Sequence, residues 1–126
     1  MLSLGVVHAR GGSKRIPRKN IKLLNGYPLI AYIIRAALSS QIDRVIVSTD
    51  DSEIAAIAKK FGAEVPFMRP SEISEDVPSE RVTCHALDWA EANENCNYEV
   101  VVTLQPTTPF IEPSDIDNCL EKLSNN

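Results

Sequence analysis

Near its N-terminus the chain reads ARGGSKRIPRKN, Ala9–Asn20, and these residue types suit the binding of a polyphosphate. The adjacent Gly11 and Gly12 let backbone N–H groups approach an anion with no Cβ in the way, and the Ser13 hydroxyl adds a donor. Arg10 offers a planar fork that matches two phosphate oxygens, while Lys14 and Lys19 are compact point charges. Neither GxxxxGK(S/T) nor GxGxxG occurs here, which counts against a P-loop kinase and a dinucleotide-dependent dehydrogenase. The same stretch also reads as a solvated basic surface loop, or as one that touches RNA. Elsewhere, Cys84, Cys96 and Cys119 form no CxxC pair, and His8 and His85 fit no zinc template. The thiols are read as free and mostly buried, in a reducing cytosol. The two histidines and Trp89 are read as packed residues.

Charge is sorted along the chain. Residues 1–42 hold seven basic groups and no acid, whereas from Asp43 onward there are six basic residues against seventeen acidic ones. Six of the early cations (Arg10, Lys14, Arg15, Arg18, Lys19, Lys22) fall within thirteen residues of an otherwise acidic protein of net charge −4. That concentration points to an anion bound at one loop, with neither nucleic acid nor membrane as partner. No apolar run approaches the roughly 20 residues of a membrane span, and the first ten residues do not form a signal peptide. At 126 residues and 44% hydrophobic, the chain has the length and composition of one folded domain.

The loop must be held by regular elements, and the pattern supplies them. Leu2–His8 is a short apolar run read as a buried strand, and the loop after it extends to about Gly26. Pro28 suits the first position of a helix carrying Leu29, Ile33, Ala36 and Ala37 on one face. Arg44–Ser48 is a second strand, followed by a helix with Ile54, Ile57, Ala58 and Phe61 inward and Gly62 as its stop. Glu64–Met68 is a third strand, at an edge or brief because of Pro66 and Pro70. A helix over Ser79–Asn93 turns Val82, Ala86, Trp89 and Ala90 inward. Glu99–Leu104 is a fourth strand, and Ser114–Leu123 a last helix with Ile116, Cys119, Leu120 and Leu123 inward. The βαβαβαβα order predicts an α/β, Rossmann-like three-layer α-β-α fold with a mostly parallel sheet of about four strands. Ligands of such sheets bind at the carboxyl ends of the strands. The basic loop, Thr49–Asp51 and Gln105–Thr108 lie at those ends.

Five motifs in order, ARGGSKRIPRKN, LNGYPLIAYIIRAAL, VSTD, RPSEISED and LQPTTPF, resemble those of the acylneuraminate cytidylyltransferases. These comprise the CMP-sialic acid synthetases and their bacterial relatives acting on legionaminic and pseudaminic acids. The resemblance covers nearly the whole chain and is closer than that to the CMP-Kdo synthetases, whose first loop differs from SKRIPRKN. It implies a nucleotide-diphospho-sugar transferase-like fold and transfer of CMP from CTP to the anomeric hydroxyl of a nonulosonic acid, releasing pyrophosphate. Cations placed in advance stabilise the charge that builds on that leaving group. By matched positions, Arg10, Ser13, Lys14 and Lys19 form a triphosphate clamp, with Arg10 and Lys19 acting on the leaving group. Gly11, Gly12 and Asn20 lie close to the nucleotide. Arg15 and Arg18 fall at positions the family does not fix and are read as solvated.

The resemblance further places Arg69 at the cytosine edge, Ser79 near the nucleotide and Gln105 toward the acceptor sugar. Each has a structural reading beside it where one exists: an Arg69–Glu72 salt bridge, and Ser79 as the cap of the following helix. Asp50 matches the family's STD motif but is read as a capping box with Glu53. Glu80 departs from the serine common nearby in sialic acid enzymes. Phe110 and Ile111 follow Pro109 where relatives often carry an arginine, which bears on the choice of sugar. The family's Mg²⁺ ligands, an aspartate pair on a later strand, have no match here and are expected beyond residue 126; Asp43, Asp115 and Asp117 are not substitutes. Residues 1–126 are accordingly read as the N-terminal nucleotide-binding portion of one cytidylyltransferase domain, cytoplasmic, weak or inactive alone, whose full-length homologues form homodimers. The alternatives are a non-catalytic nucleotide-binding module that keeps the phosphate loop, and an RNA-binding protein, disfavoured by the scarcity of aromatic residues.

Overall fold

The computed structural model describes residues 2–9, 23–70, 79–94, 97–105 and 112–124. Along the chain run β1 (Ser3–His8), the two-residue strands β2 (Leu23–Leu24) and β3 (Tyr27–Pro28), α1 (Leu29–Leu38), β4 (Arg44–Ser48), α2 (Ser52–Lys60), α3 (Ser79–Glu94), β5 (Val100–Leu104) and α4 (Pro113–Ser124). The main sheet is parallel with order β4-β1-β5. In its register Val6 lies between Ile46 and Thr103.

Alternation along the strands sorts the core into two layers. Val7 of β1 and Val45 and Val47 of β4 face the cluster built by α1, α2 and α4, which includes Ile30, Ile33, Ile34, Ile54, Ala58, Ile116 and Leu120. Leu4, Val6 and Ile46 point the other way, onto Ala86 and Ala90 of α3. A sheet with an apolar side chain on each face needs helices on both, and the three-layer α-β-α arrangement follows. Trp89 packs half-buried against the second cluster, as a core residue should, with the Arg44 guanidinium 6.0 Å over its ring.

Several local expectations need correction. The third strand, expected over Glu64–Met68, shrinks to a single parallel bridge between Ile46 and Glu64. Its hydrogen bonds are Val47 N–H to the Glu64 carbonyl at 2.9 Å and Glu64 N–H to the Val45 carbonyl at 3.2 Å. Pro66 has no N–H to continue the ladder, so the sheet has three strands among the described residues. An ion pair from Arg44 Nε to Glu64 Oε2 at 2.7 Å secures the bridge.

The end of the first loop, in contrast, holds an antiparallel pairing of Leu24 with Tyr27 and Leu23 with Pro28. Asn25 at φ 52° and Gly26 at φ 86° form the Asn-Gly turn that such hairpins favour. The Tyr32 hydroxyl donates to the Leu24 carbonyl and fastens the hairpin to α1. Pro28 is therefore the residue before the helix, at ψ 145°, and α1 begins at Leu29.

Capping differs in the same way. Asp51, not Asp50, caps α2, its Oδ1 accepting from Glu53 N at 2.8 Å and Ile54 N at 3.1 Å. The helix stops as expected at Gly62, with Gly62 N–H to the Lys59 carbonyl and Ala63 N–H to the Ala58 carbonyl, a Schellman closure. Gly62 sits at φ +100°, and a Cβ there would lie 3.0 Å from Leu38 Cδ1. Gly62→Ala is expected to destabilise the fold by about 1–3 kcal/mol, read as a lower urea midpoint with an unchanged slope. Cys84 is exposed, against the expectation of buried thiols; the side chains of Cys96 and Cys119 lie outside the described residues.

Candidate active site

The chain leaves β1 toward β4 on one side and later returns to β5 on the other. In open α/β sheets ligands bind at the carboxyl ends of the strands, where the connections reverse in this way. Ala9, the last described residue before the basic loop, donates its N–H to the Ser48 carbonyl at the end of β4, 3.0 Å away. Gln105 follows directly on β5 and is exposed there. The loop and Gln105 thus leave adjacent strands at the same end of the sheet.

Arg69 is drawn to that end by the bridge at Glu64, and its own N–H donates to the Thr49 carbonyl at 2.8 Å. Its side chain folds back: Nε donates to Ser48 Oγ at 3.1 Å, and Nη2 to the Ser48 carbonyl at 2.7 Å. The residue is only 7% exposed. A guanidinium carries only N–H donors, so a buried one must find acceptors, and Ser48 supplies two of them. The structure thus places Arg69 at the strand ends, bonded to Ser48. The rival Glu72 lies outside the described residues.

Two histidines neighbour Arg69. His8, at the end of β1, pairs its Nε2 with Thr83 Oγ1 at 2.8 Å, and Thr83 in turn bonds Thr103 Oγ1 at 2.9 Å. Burial first, and the Arg69 charge second, push its pKa down to about 4. His85 is lowered by the same two causes, against an opposing effect of Asp88. Its ring meets Phe67 edge-on, 4.7 Å between centroids. Both rings pack against neighbours, His8 on Thr83 and His85 on Phe67, as the sequence suggests.

The unfolded chain takes up the His8 proton near pH 6.5 and the folded chain only near 4, so stability falls as pH drops through that window. His8→Gln is expected to flatten part of the fall in thermal midpoint between about pH 6.5 and 4.5, measured by circular dichroism.

Not all site candidates are placed. Arg10, Gly11, Gly12, Ser13, Lys14, Lys19 and Asn20 lie outside the described residues, as do Phe110 and Ile111. Ser79 is the first residue of α3. Of the STD triplet, Ser48 and Thr49 are fully buried while Asp50 is exposed. Sequence reasoning passed over Ser48, Thr83 and Thr103. The available signal was a polar side chain in the last or next-to-last position of two apolar strands, at the sheet end where ligands bind.

The aspartates set aside as metal ligands have structural partners. Asp43 Oδ2 accepts from Ser3 N and Oγ, Asp117 Oδ1 from Gln41 N, and Asp115 Oδ2 from Glu112 N. Among the described residues no group of three or more His, Cys, Asp or Glu is arranged to hold a metal ion. No helix among them is long and apolar enough to cross a membrane.

The fold is that of nucleotidyltransferases. A CMP:2-keto-3-deoxy-manno-octonic acid synthetase solved with CTP superposes with TM-score 0.80 at 23% identity, over 100% of this chain and 48% of that one. By sequence, the chain belongs to the cytidylyltransferase family, whose model matches residues 4–126. It is 40% identical over 127 residues to a pseudaminic acid cytidylyltransferase of Campylobacter jejuni, covering 100% of this chain and 55% of that protein. To the CMP-N,N'-diacetyllegionaminic acid synthase of Legionella pneumophila it is 41% identical over 122 residues, covering 96% of this chain and 53% of that protein. The chain thus spans about half the length of these relatives.

Proposed function

We propose that these residues form the CTP-binding portion of a CMP-nonulosonic acid synthetase. In the reaction the anomeric hydroxyl of the sugar acid attacks the α-phosphorus of CTP, the bond to the β-phosphate oxygen breaks, and pyrophosphate leaves. The observation that carries the reading is Arg69, buried at the strand ends beside the origin of the basic loop. Guanidinium N–H groups only donate, and cytosine presents two adjacent acceptors, O2 and N3, where uracil presents an N–H at N3. A donor array at this position selects cytosine.

The remaining roles follow from the matched motifs. Arg10, Ser13, Lys14 and Lys19 clamp the triphosphate, and Arg10 and Lys19 stabilise charge on the departing pyrophosphate. Gly11, Gly12, Asn20 and Ser79 line the nucleotide, and Gln105 faces the acceptor. Mg²⁺ would supply further charge neutralisation in this chemistry, held by ligands beyond residue 126. Low turnover by the 126 residues alone and a cytoplasmic location belong to the same proposal.

The test incubates the complete gene product with CTP, Mg²⁺ and a panel of nonulosonic acids, and follows CMP-sugar and pyrophosphate. Stoichiometric formation of both with one acceptor is the expected result. CTP binding with no product from any acceptor would favour a non-catalytic nucleotide-binding module instead.

A further inference from the structure

Ser48 joins three segments at the carboxyl end of the sheet: β4, Ala9 after β1, and Arg69. It is the last residue of β4 and fully buried. Its carbonyl oxygen accepts twice, from Ala9 N at 3.0 Å and from Arg69 Nη2 at 2.7 Å, and its hydroxyl accepts from Arg69 Nε at 3.1 Å. A buried hydroxyl at the end of an apolar strand is unfavourable unless it is used, and an alanine would satisfy packing alone.

The two bonds from one guanidinium to one residue fix both the direction and the plane of a long, flexible side chain. They also tie it to the residue from which the basic loop departs. A donor array fixed before the ligand arrives loses less freedom on binding.

We propose that Ser48 is a positioning residue for nucleotide recognition, holding the Arg69 guanidinium in the plane from which it reads the pyrimidine base. The proposal rests on the reading of Arg69 as the base-facing residue. Ser48 itself touches no substrate; its effect reaches the nucleotide through Arg69.

The test is titration calorimetry of CTP, UTP and tripolyphosphate on the wild-type protein, Ser48→Ala and Arg69→Ala. Ser48→Ala is expected to weaken CTP about tenfold, to leave tripolyphosphate within about twofold, and to narrow the preference for CTP over UTP. Ser48→Cys, of similar volume but a weak acceptor, is expected to act in the same direction, and it replaces Ser48→Ala should that variant not fold.

Unchanged CTP affinity in the Ser48 variants, with CTP binding lost in Arg69→Ala, overturns the inference and leaves the reading of Arg69 intact. An equal loss for CTP and tripolyphosphate makes Ser48 a structural residue and overturns it too. No preference for CTP over UTP in the wild type, or undiminished CTP binding in Arg69→Ala, removes the base-reading role of Arg69 and the inference with it.

Discussion

Arg10→Ala is expected to weaken CTP binding by about 10- to 100-fold, since a hydrogen bond to a charged group contributes about 1.5–3 kcal/mol. Arg10 directly follows Ala9, whose N–H is bonded to the Ser48 carbonyl at the end of β4, and matches the family's triphosphate-binding motif by sequence. Arg15 lies five residues further on in the same loop and is read as solvated. Arg15→Ala removes the same charge from the same loop, but its effect is expected to stay within about threefold at physiological salt. The contrast separates a phosphate cradle from a generally basic surface. An RNA-binding loop predicts similar losses at both positions and a steep salt dependence for RNA. Calorimetric titration of CTP into both variants measures the difference.

Ile46→Ala is expected to destabilise the fold by about 2–5 kcal/mol, the range for deleting a fully buried aliphatic side chain. Ile46 is fully buried, and it faces Ala86 and Ala90 of α3 alongside Leu4 and Val6. The two alanines are too small to move into the space it leaves, which puts the loss toward the upper part of that range. Against a total of about 5–15 kcal/mol for an ordinary domain, the loss is large. Val102→Ala, on the half-buried strand β5, is expected to cost much less. A urea midpoint that falls sharply for Ile46→Ala and little for Val102→Ala, with common slopes, is the outcome that fits.

How legible the fold was depended on the range of each signal. The three main strands follow from apolar runs, and most inward helix positions from helical spacing; on α1, Ile30, Ala31 and Ile34 are buried with Ile33, Ala36 and Ala37, while Leu29 is only half-buried. Failures came where a single backbone group decided the outcome. Pro66 reduced an expected strand to one bridge, and the side chain that caps α2 belongs to Asp51 rather than to its neighbour Asp50. The Asn25–Gly26 turn carried a clear hairpin signal that was absorbed into the preceding loop.

The site was legible in a different way. Motif order identified Arg69 and Gln105 as candidates, but no local pattern tells that Arg69 closes onto Ser48, 21 residues away. Nor does one tell that His8 meets Thr83, 75 residues away. Such pairings exist only after the parallel sheet has brought the strand ends together. The polar residues near the strand ends, Ser48 closing β4 and Thr103 next to last in β5, were visible in the sequence; their partners were not.

The measurement closest to the central claim is the affinity of this chain for CTP against UTP and ATP, by titration calorimetry at fixed salt. One CTP site per chain is expected, with UTP bound at least about tenfold more weakly, the discrimination of a site whose donors meet cytosine but oppose the uracil N–H. Equal binding of all three nucleotides, or none of CTP, would contradict it.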